Sequence, residues 1–215
     1  SGSGPKPDVG AALATYLASD GAAGDQFGTS VALEGDTVIV GSPLDDFSSL
    51  MDRGSAYVFV RSGATWSEQQ KLSSTVTSAG ARLGGSVSIS VDTVVLGAAQ
   101  DSNGLTVPTS VYTGSAYVFT RSGTVWSLQQ KLIVPSAAAS DQIGASVTIS
   151  GDTVLAGAPL RNVGADTDEG SAFVFVRSGA TWTVQTELVT VGAAAADHVG
   201  RAVTLAGDVA LLGAP

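Results

Sequence analysis

The stretch GSAYVFVRSGATW at residues 54–66 returns as GSAYVFTRSGTVW at 114–126 and as GSAFVFVRSGATW at 170–182. A phrase written three times marks a repeat architecture, whose period has to be fixed before any motif is weighed. The glycines at 28, 84, 144 and 200 set it, standing 56, 60 and 56 residues apart. Repeats therefore start near residues 25, 81, 141 and 197; four begin and three finish.

Within a repeat, every segment reads as a strand. Segment A is GTSVALEGD (28–36), B is TVIVGSP (37–43), C is GSAYVFVRS (54–62) and D is TWSEQQKL (65–72). All are short, rich in Val, Thr, Tyr and Phe, and bounded by Gly, Asp, Ser and Pro. Gly35-Asp36 and Gly151-Asp152 predict tight A–B hairpins, because glycine supplies the positive φ of a two-residue turn. The second repeat has Val91-Asp92 there, which predicts a different turn geometry. The Arg-Ser-Gly turns at Arg61, Arg121 and Arg177 make C–D a second hairpin.

Segment C places Tyr57 and Phe59 on one face and Ala56, Val58 and Val60 on the other, so both faces need cover. Strict alternation in D puts Trp66, Glu68, Gln70 and Leu72 on one face and Ser67, Gln69 and Lys71 on the other, as on a solvated edge strand. A four-stranded antiparallel meander with two apolar faces is stable only when stacked on its own kind. The expected fold is all-β: a β-propeller over residues 11–215, with residues 1–10 as an N-terminal tail or linker.

Composition agrees. The 215 residues are 44% hydrophobic and 13% charged, enough apolar material for a large core. There is no cysteine, which removes disulfide scaffolds, thiolate zinc sites and cysteine nucleophiles. No apolar run approaches the roughly 20 residues of a membrane-spanning helix, so no membrane insertion is expected. The net charge of −9, with only ten scattered cations, argues against a nucleic-acid partner.

Phe27-Gly28 opening segment A and Gly41-Ser42-Pro43 closing segment B, followed later by Gly157-Ala158-Pro159 and Gly213-Ala214-Pro215, resemble the FG-GAP repeat of integrin α-subunit propellers and their bacterial relatives. The likeness covers about residues 12–215, with FG drifting to Leu-Gly, Ile-Gly and Val-Gly and the second GAP written Gly97-Ala98-Ala99. It implies a non-enzymatic extracellular or cell-surface module for adhesion or ligand binding. Integrin-type blades often hold calcium in an Asp-rich loop between the two motifs. Here that loop is two or three residues with one carboxylate each, Asp36, Asp92, Asp152 or Asp208, too few for six to eight oxygen ligands. No cofactor and no metal ligand is assigned.

A binding face is sought where loops are long. The B–C loops span 44–53, 100–113 and 160–169, and the second holds the whole difference in period. With the D–A connections they carry eleven carboxylates (Asp20, Asp25, Asp45, Asp46, Asp52, Asp101, Asp141, Asp166, Asp168, Glu169 and Asp197) against Arg53, Arg82 and Arg161. The candidate ligand-binding residues are Asp45, Asp46, Asp52, Asp101, Asn103, Asp166, Asp168 and Glu169, on a face suited to a protein or glycan ligand, to a cationic partner or to weak binding of a cation such as calcium, with Asp166, Asp168 and Glu169 and the pair Asp45-Asp46 foremost. Simple solvation of acidic loops is the competing explanation.

Trp66, Trp126 and Trp182 follow their arginines by five residues in every repeat, which predicts packing or Arg–Trp contact rather than a sugar platform. His198 fills a slot held elsewhere by Gln26 and Gln142, so a structural role is expected. No nucleophile–base spacing or glycine elbow is present, and no enzyme is predicted. A carboxylate pair between neighbouring loops, carbohydrate-active or lectin-like, is a minor alternative whose mark would be a deep pocket with a raised carboxyl pKa.

Residues 11–17 read as a segment D ahead of the first complete repeat, and the last repeat stops after B. Three arrangements follow: a closed four-bladed ring with one split blade, a piece of a longer propeller, or an open edge that takes a strand from another copy to form a homo-oligomer.

Overall fold

The structure, a computed structural model, describes residues 15–103 and 112–215. Its strands are β1 (Val31–Glu34), β2 (Thr37–Ser42), β3 (Ser55–Ser62) and β4 (Thr65–Leu72); β5 (Ser86–Ser90), β6 (Thr93–Ala98), β7 (Ser115–Ser122) and β8 (Val125–Leu132); β9 (Ser146–Ser150), β10 (Thr153–Ala158), β11 (Ser171–Ser178) and β12 (Thr181–Leu188); and the hairpin β13 (Ala202–Ala206) and β14 (Val209–Gly213). Each group of four is one antiparallel sheet in chain order, and the last two strands pair alone. The described residues contain no helix long and apolar enough to cross a membrane. Of the segment D expected at 11–17, residues 11–14 lie outside the described residues and 15–17 form no strand.

Sequence alternation in β3 becomes blade packing. Ile39, Ala56 and Val58 of the first blade meet Val94, Leu96, Tyr117, Phe119 and Trp126 of the second in one apolar cluster. Val95, Ala116 and Val118 of the second meet Val154, Ala156, Phe173, Phe175 and Trp182 of the third in another. Each large side chain so buried contributes about 1.5–3 kcal/mol, which a lone sheet would forfeit. The first strands of successive blades, β1, β5, β9 and β13, lie beside one another, while the fourth strands touch far less. The blades thus converge on their first strands, as around an axis.

The glycine motifs make that convergence possible. In each repeat the FG glycine N–H donates to the GAP glycine carbonyl, Gly28 to Gly41, Gly84 to Gly97 and Gly144 to Gly157, all at 2.9 Å. Between blades the backbones touch: a Cβ on Gly41 or Gly97 would run into the carbonyl oxygen of Gly84 or Gly144. Ser30, Ser86 and Ser146 then donate their hydroxyls to the carbonyls of Gly84, Gly144 and Gly200 in the following blade. Ala202 fills that slot in the fourth repeat and has no hydroxyl to give.

Two expectations about strands and turns need correction. Strict alternation fails in segment D because each D strand has a bulge: Val58 pairs Gln70 but Phe59 pairs Glu68, and Gln69 is the extra residue. Leu72 therefore faces the next blade with Ala56 and Val58, and Lys71 shares the face of Tyr57. The Val91-Asp92 turn does not differ in geometry either. Val91 has φ 53°, matching Gly35 at 55° and Gly151 at 56°, and its N–H is held by the carboxylate of Glu34 in the preceding blade.

Candidate binding face

At the B–C end of the second blade, Asp101 is fully buried. Its carboxylate accepts from Ser115 Oγ at 2.8 Å, Ser78 Oγ at 3.1 Å, the Asn103 N–H at 3.2 Å and the Tyr117 hydroxyl, and pairs with Lys131 Nζ at 2.8 Å. Burial alone would raise its pKa, but Lys131 and the hydroxyl donors outweigh that and hold the carboxyl below its ordinary value. Burial and the Asp101 charge drive the Tyr117 phenol far upward, so it remains a donor. The group is a strut tying the start of the B–C loop to strands β7 and β8.

The first blade builds the same strut from Asp45, Tyr57 and Lys71, and adds Asp20 from the segment before β1. Lys71 Nζ lies 2.9 Å from Asp45 and 2.8 Å from Asp20, which also takes the Tyr57 hydroxyl at 2.7 Å. Burial, then the bond to Asp20, push the Tyr57 phenol up to about 12. Burial would lower the Lys71 ammonium, yet its bonds to Asp20 and Asp45 raise it on balance.

In the third blade the charges are exchanged. Arg161 stands at the position of Asp45 and Asp101, and Glu187 at that of Lys71 and Lys131. Arg161 Nε is 3.0 Å from Glu187, and its Nη1 reaches Asp141 at 2.8 Å and the Ser136 carbonyl at 2.9 Å. Ser171 donates to Glu187 at 2.8 Å, as Ser115 does to Asp101.

The structure thus separates the eight candidate residues. Asp45, Asp101 and Glu169 are buried, as are Asp25 and Asp141, five of the eleven carboxylates of the expected acidic face. Asn103 is turned inward too, donating to Thr113 Oγ1 and to the Gly114 carbonyl at 2.8 Å. Asp46 and Asp166 are exposed, and Asp52 and Asp168 are half-buried with φ near 50°. These four sit on loops of one design: Phe47 bridges Leu50 as Val163 bridges Asp166, and the Asp52 N–H donates to Asp46 as the Asp168 N–H donates to Asn162, both at 2.9 Å. Glu169, though buried, makes no side-chain hydrogen bond or ion pair among the described residues. Such a face has negative loop tips, with three of its five inner carboxylates, Asp45, Asp101 and Asp141, already neutralised by Lys71, Lys131 and Arg161.

The tryptophans belong to the joints between blades. Trp126 and Trp182 are buried, with Arg121 and Arg177 over their rings at 5.0 and 5.2 Å. Gln70 clamps the Trp126 backbone with two hydrogen bonds, from Nε2 at 2.7 Å and to Oε1 at 2.8 Å, and Gln69 accepts the indole N–H at 3.0 Å. Gln130 and Gln129 treat Trp182 alike. Trp66 has no such clamp among the described residues and lines an apolar groove with Tyr16, Leu33, Val38, Val40 and Phe59. His198 takes the slot of Gln26, with Nδ1 at 3.3 Å from the Pro159 carbonyl. Sequence reading misses the struts because their members lie about 26 to 30 positions apart; the signal is the charge exchange between repeats.

At the opposite end of each blade, Asp36, Asp92 and Asp152 accept from Arg61, Arg121 and Arg177 Nε at 2.7 Å. With a guanidinium on its one carboxylate, none of these turns fits a calcium ion.

A family model for the FG-GAP repeat matches residues 13–59, 66–119 and 126–175. No curated protein matches the chain. Among solved structures, a chain of the S. cerevisiae complex of Dbp5 bound to Nup159, Gle1, IP6 and ADP aligns at 13% identity with a TM-score of 0.40, covering 72% of this chain and 35% of that one. At that score the likeness has no bearing on fold or function. The repeat motifs, the three four-stranded sheets and the family match over most of the length agree, and the chain belongs to the FG-GAP repeat family of β-propellers.

Proposed function

We propose that this protein is a non-enzymatic recognition module of the cell exterior or surface, whose long B–C loops meet a protein or glycan partner. The observation that carries this reading is the division of the acidic residues. Asp45, Asp101 and Asp141 are buried and paired with Lys71, Lys131 and Arg161, whereas Asp46, Asp52, Asp166 and Asp168 stand on the loop tips with no cation on them among the described residues, Asp46 and Asp166 exposed and Asp52 and Asp168 half-buried. Rigid scaffolds with variable loops are the usual platform for recognition. An array of glycans and basic peptides, probed with the native chain and with D46N/D52N/D166N/D168N, tests it. Capture that the quadruple variant loses supports the reading; no capture, or capture unchanged in the variant, removes it.

A second reading, assembly through blade faces, has its own observation. Leu211 is 64% exposed, while Ile39, Val95 and Leu155 at the same position of earlier repeats are at 0%. At the other side the groove beside Trp66 is the face that the second and third blades cover with a preceding blade. The occupant proposed is a second copy, whose Leu211 face has the chemistry of the surfaces docked there within the chain. Light scattering across concentrations decides: a dimer or series abolished by Leu211→Glu supports it, and a monomer at all concentrations sinks it.

A further inference from the structure

Seven of the nine cations among the described residues are committed to structural contacts. Six form the ion pairs above, and Arg53 is buried against the Thr77 and Thr75 carbonyls. Arg82 and Arg201 remain; both are exposed, and neither side chain has a hydrogen-bond or ion-pair partner among the described residues. They come from different repeats, 119 positions apart, yet both line one cavity of about 300 Å³.

That cavity lies where the blades converge. Thr29, Gly85, Ala145 and Arg201, the residues that follow the FG glycine in each of the four repeats, all line it. Gly85 and Ala145 leave the recess open; Arg201 gives it a guanidinium. Gln26 and Arg82 share the slot before the FG motif in the first two repeats, and Gln100 enters from the loop after β6. No carboxylate is among the lining residues. In a chain of net charge −9, two unpaired arginines beside amide side chains, in a recess free of acids, form a local inversion of charge.

We propose that this axial cavity binds a small carboxylate, of the size of one uronic acid residue, with Arg82 and Arg201 on the carboxylate and Gln26 and Gln100 on neighbouring hydroxyls. A guanidinium offers paired N–H donors that match a carboxylate, and amides suit hydroxyls. The volume is at the lower end for small-molecule sites and has room for a single sugar ring. This goes beyond the loop-tip reading, which concerns a cationic partner and different residues, so either can fail alone.

Isothermal titration with glucuronate, glucose and citrate tests the site. Glucuronate binding without glucose binding, weakened about tenfold or more in both Arg82→Gln and Arg201→Gln, is the expected result. Citrate binding with the same dependence on both arginines also supports a carboxylate site, of non-sugar origin. Glucose binding as well as glucuronate, no binding by either acid, or binding that survives both substitutions overturns it. Both arginines are exposed, so circular dichroism of the variants is expected to match the native chain, and D46N/D52N/D166N/D168N is expected to keep its glucuronate affinity.

Discussion

Each of the three four-stranded blades has an ion pair at both of its ends, and in the second blade the two are opposite in consequence. At the turn end, Arg121 meets Asp92, whose side chain is 56% exposed; at the loop end, Lys131 meets Asp101, whose side chain is 1% exposed. Exposed pairs of this kind are worth little, because water and salt already solvate both charges. A buried pair gains little net energy when formed, but removing one partner strands the other without solvent. The loop end is therefore the end at which a single substitution is severe.

The largest expected effect follows from that. Asp101→Ala leaves Lys131 and the Tyr117 hydroxyl without their acceptor and should cost about 3–5 kcal/mol, read as a shift in urea midpoint. Adding Lys131→Met should recover much of the loss, because no charge is then left buried; failure to recover would mean that the hydroxyl and backbone bonds, and not the charge, hold the loop.

Next comes the exchanged strut. Glu187→Lys sets a cation beside Arg161 and should destabilise the third blade by roughly 2–4 kcal/mol, while Glu187→Lys with Arg161→Asp restores the charge order of the first two blades, though without their tyrosine hydroxyl, which Phe173 lacks, and should return part of it. The double variant sets its new carboxylate in the blade that holds Asp141, as Asp45 shares its blade with Asp25. A double variant no better than the single one would show that the third strut depends on the Arg161 contact to the Ser136 carbonyl instead.

The alkaline limb probes the first strut. The unfolded Tyr57 phenol titrates near 10 and the folded one near 12, so between those values the unfolded chain has lost a proton that the native state keeps. Stability is whole below pH 10 and falls as pH rises through about 12. Lys71 and Tyr117 are raised too and act in the same direction. Urea melts at pH 9 and 11 should diverge less in Tyr57→Phe than in the native chain, and equal divergence would relieve Tyr57 of the role.

Much of this is legible in the sequence, and the gaps have physical causes. Period, strands, hairpins and the two-faced β3 follow from glycines and alternation, since each copy repeats the same local rule. The bulge at Gln69 is hidden because alternation assumes one residue per pairing position, and a single insertion moves Lys71 and Leu72 to opposite faces from those it assigns. The acidic loops read as one surface because charge says nothing of burial; Asp101 and Asp166 look alike in sequence, yet of the two only Asp101 has a lysine pairing on a neighbouring strand. Arg82 enters the sequence reading only as a partial offset to that acidity, and Arg201 not at all, because the convergence of the blades that joins them is a property of the stacked repeats together and not of any one repeat.

The turn end supplies the two smallest effects. Val91 holds a left-handed φ of 53° that a β-branched residue adopts only under strain, so Val91→Gly should raise stability by about 1 kcal/mol, less any gain in unfolded-chain entropy. Thermal melts resolve that, and an unchanged midpoint would mean that the Glu34 carboxylate on the Val91 N–H already offsets the strain.

Asp92→Ala should cost less still, about 0.2–1 kcal/mol, and less in high salt, because the Asp92 carboxylate is more than half exposed to water. Arg121 has a second occupation: it lies over the Trp126 ring and donates to Thr37 Oγ1 of the preceding blade at 3.1 Å. Removing Arg121 should therefore cost more than removing Asp92, since the arginine also packs a joint between blades. Equal costs for the two variants would place all of the arginine's value in the exposed pair, and the contrast between the ends of the blade would then lose its basis.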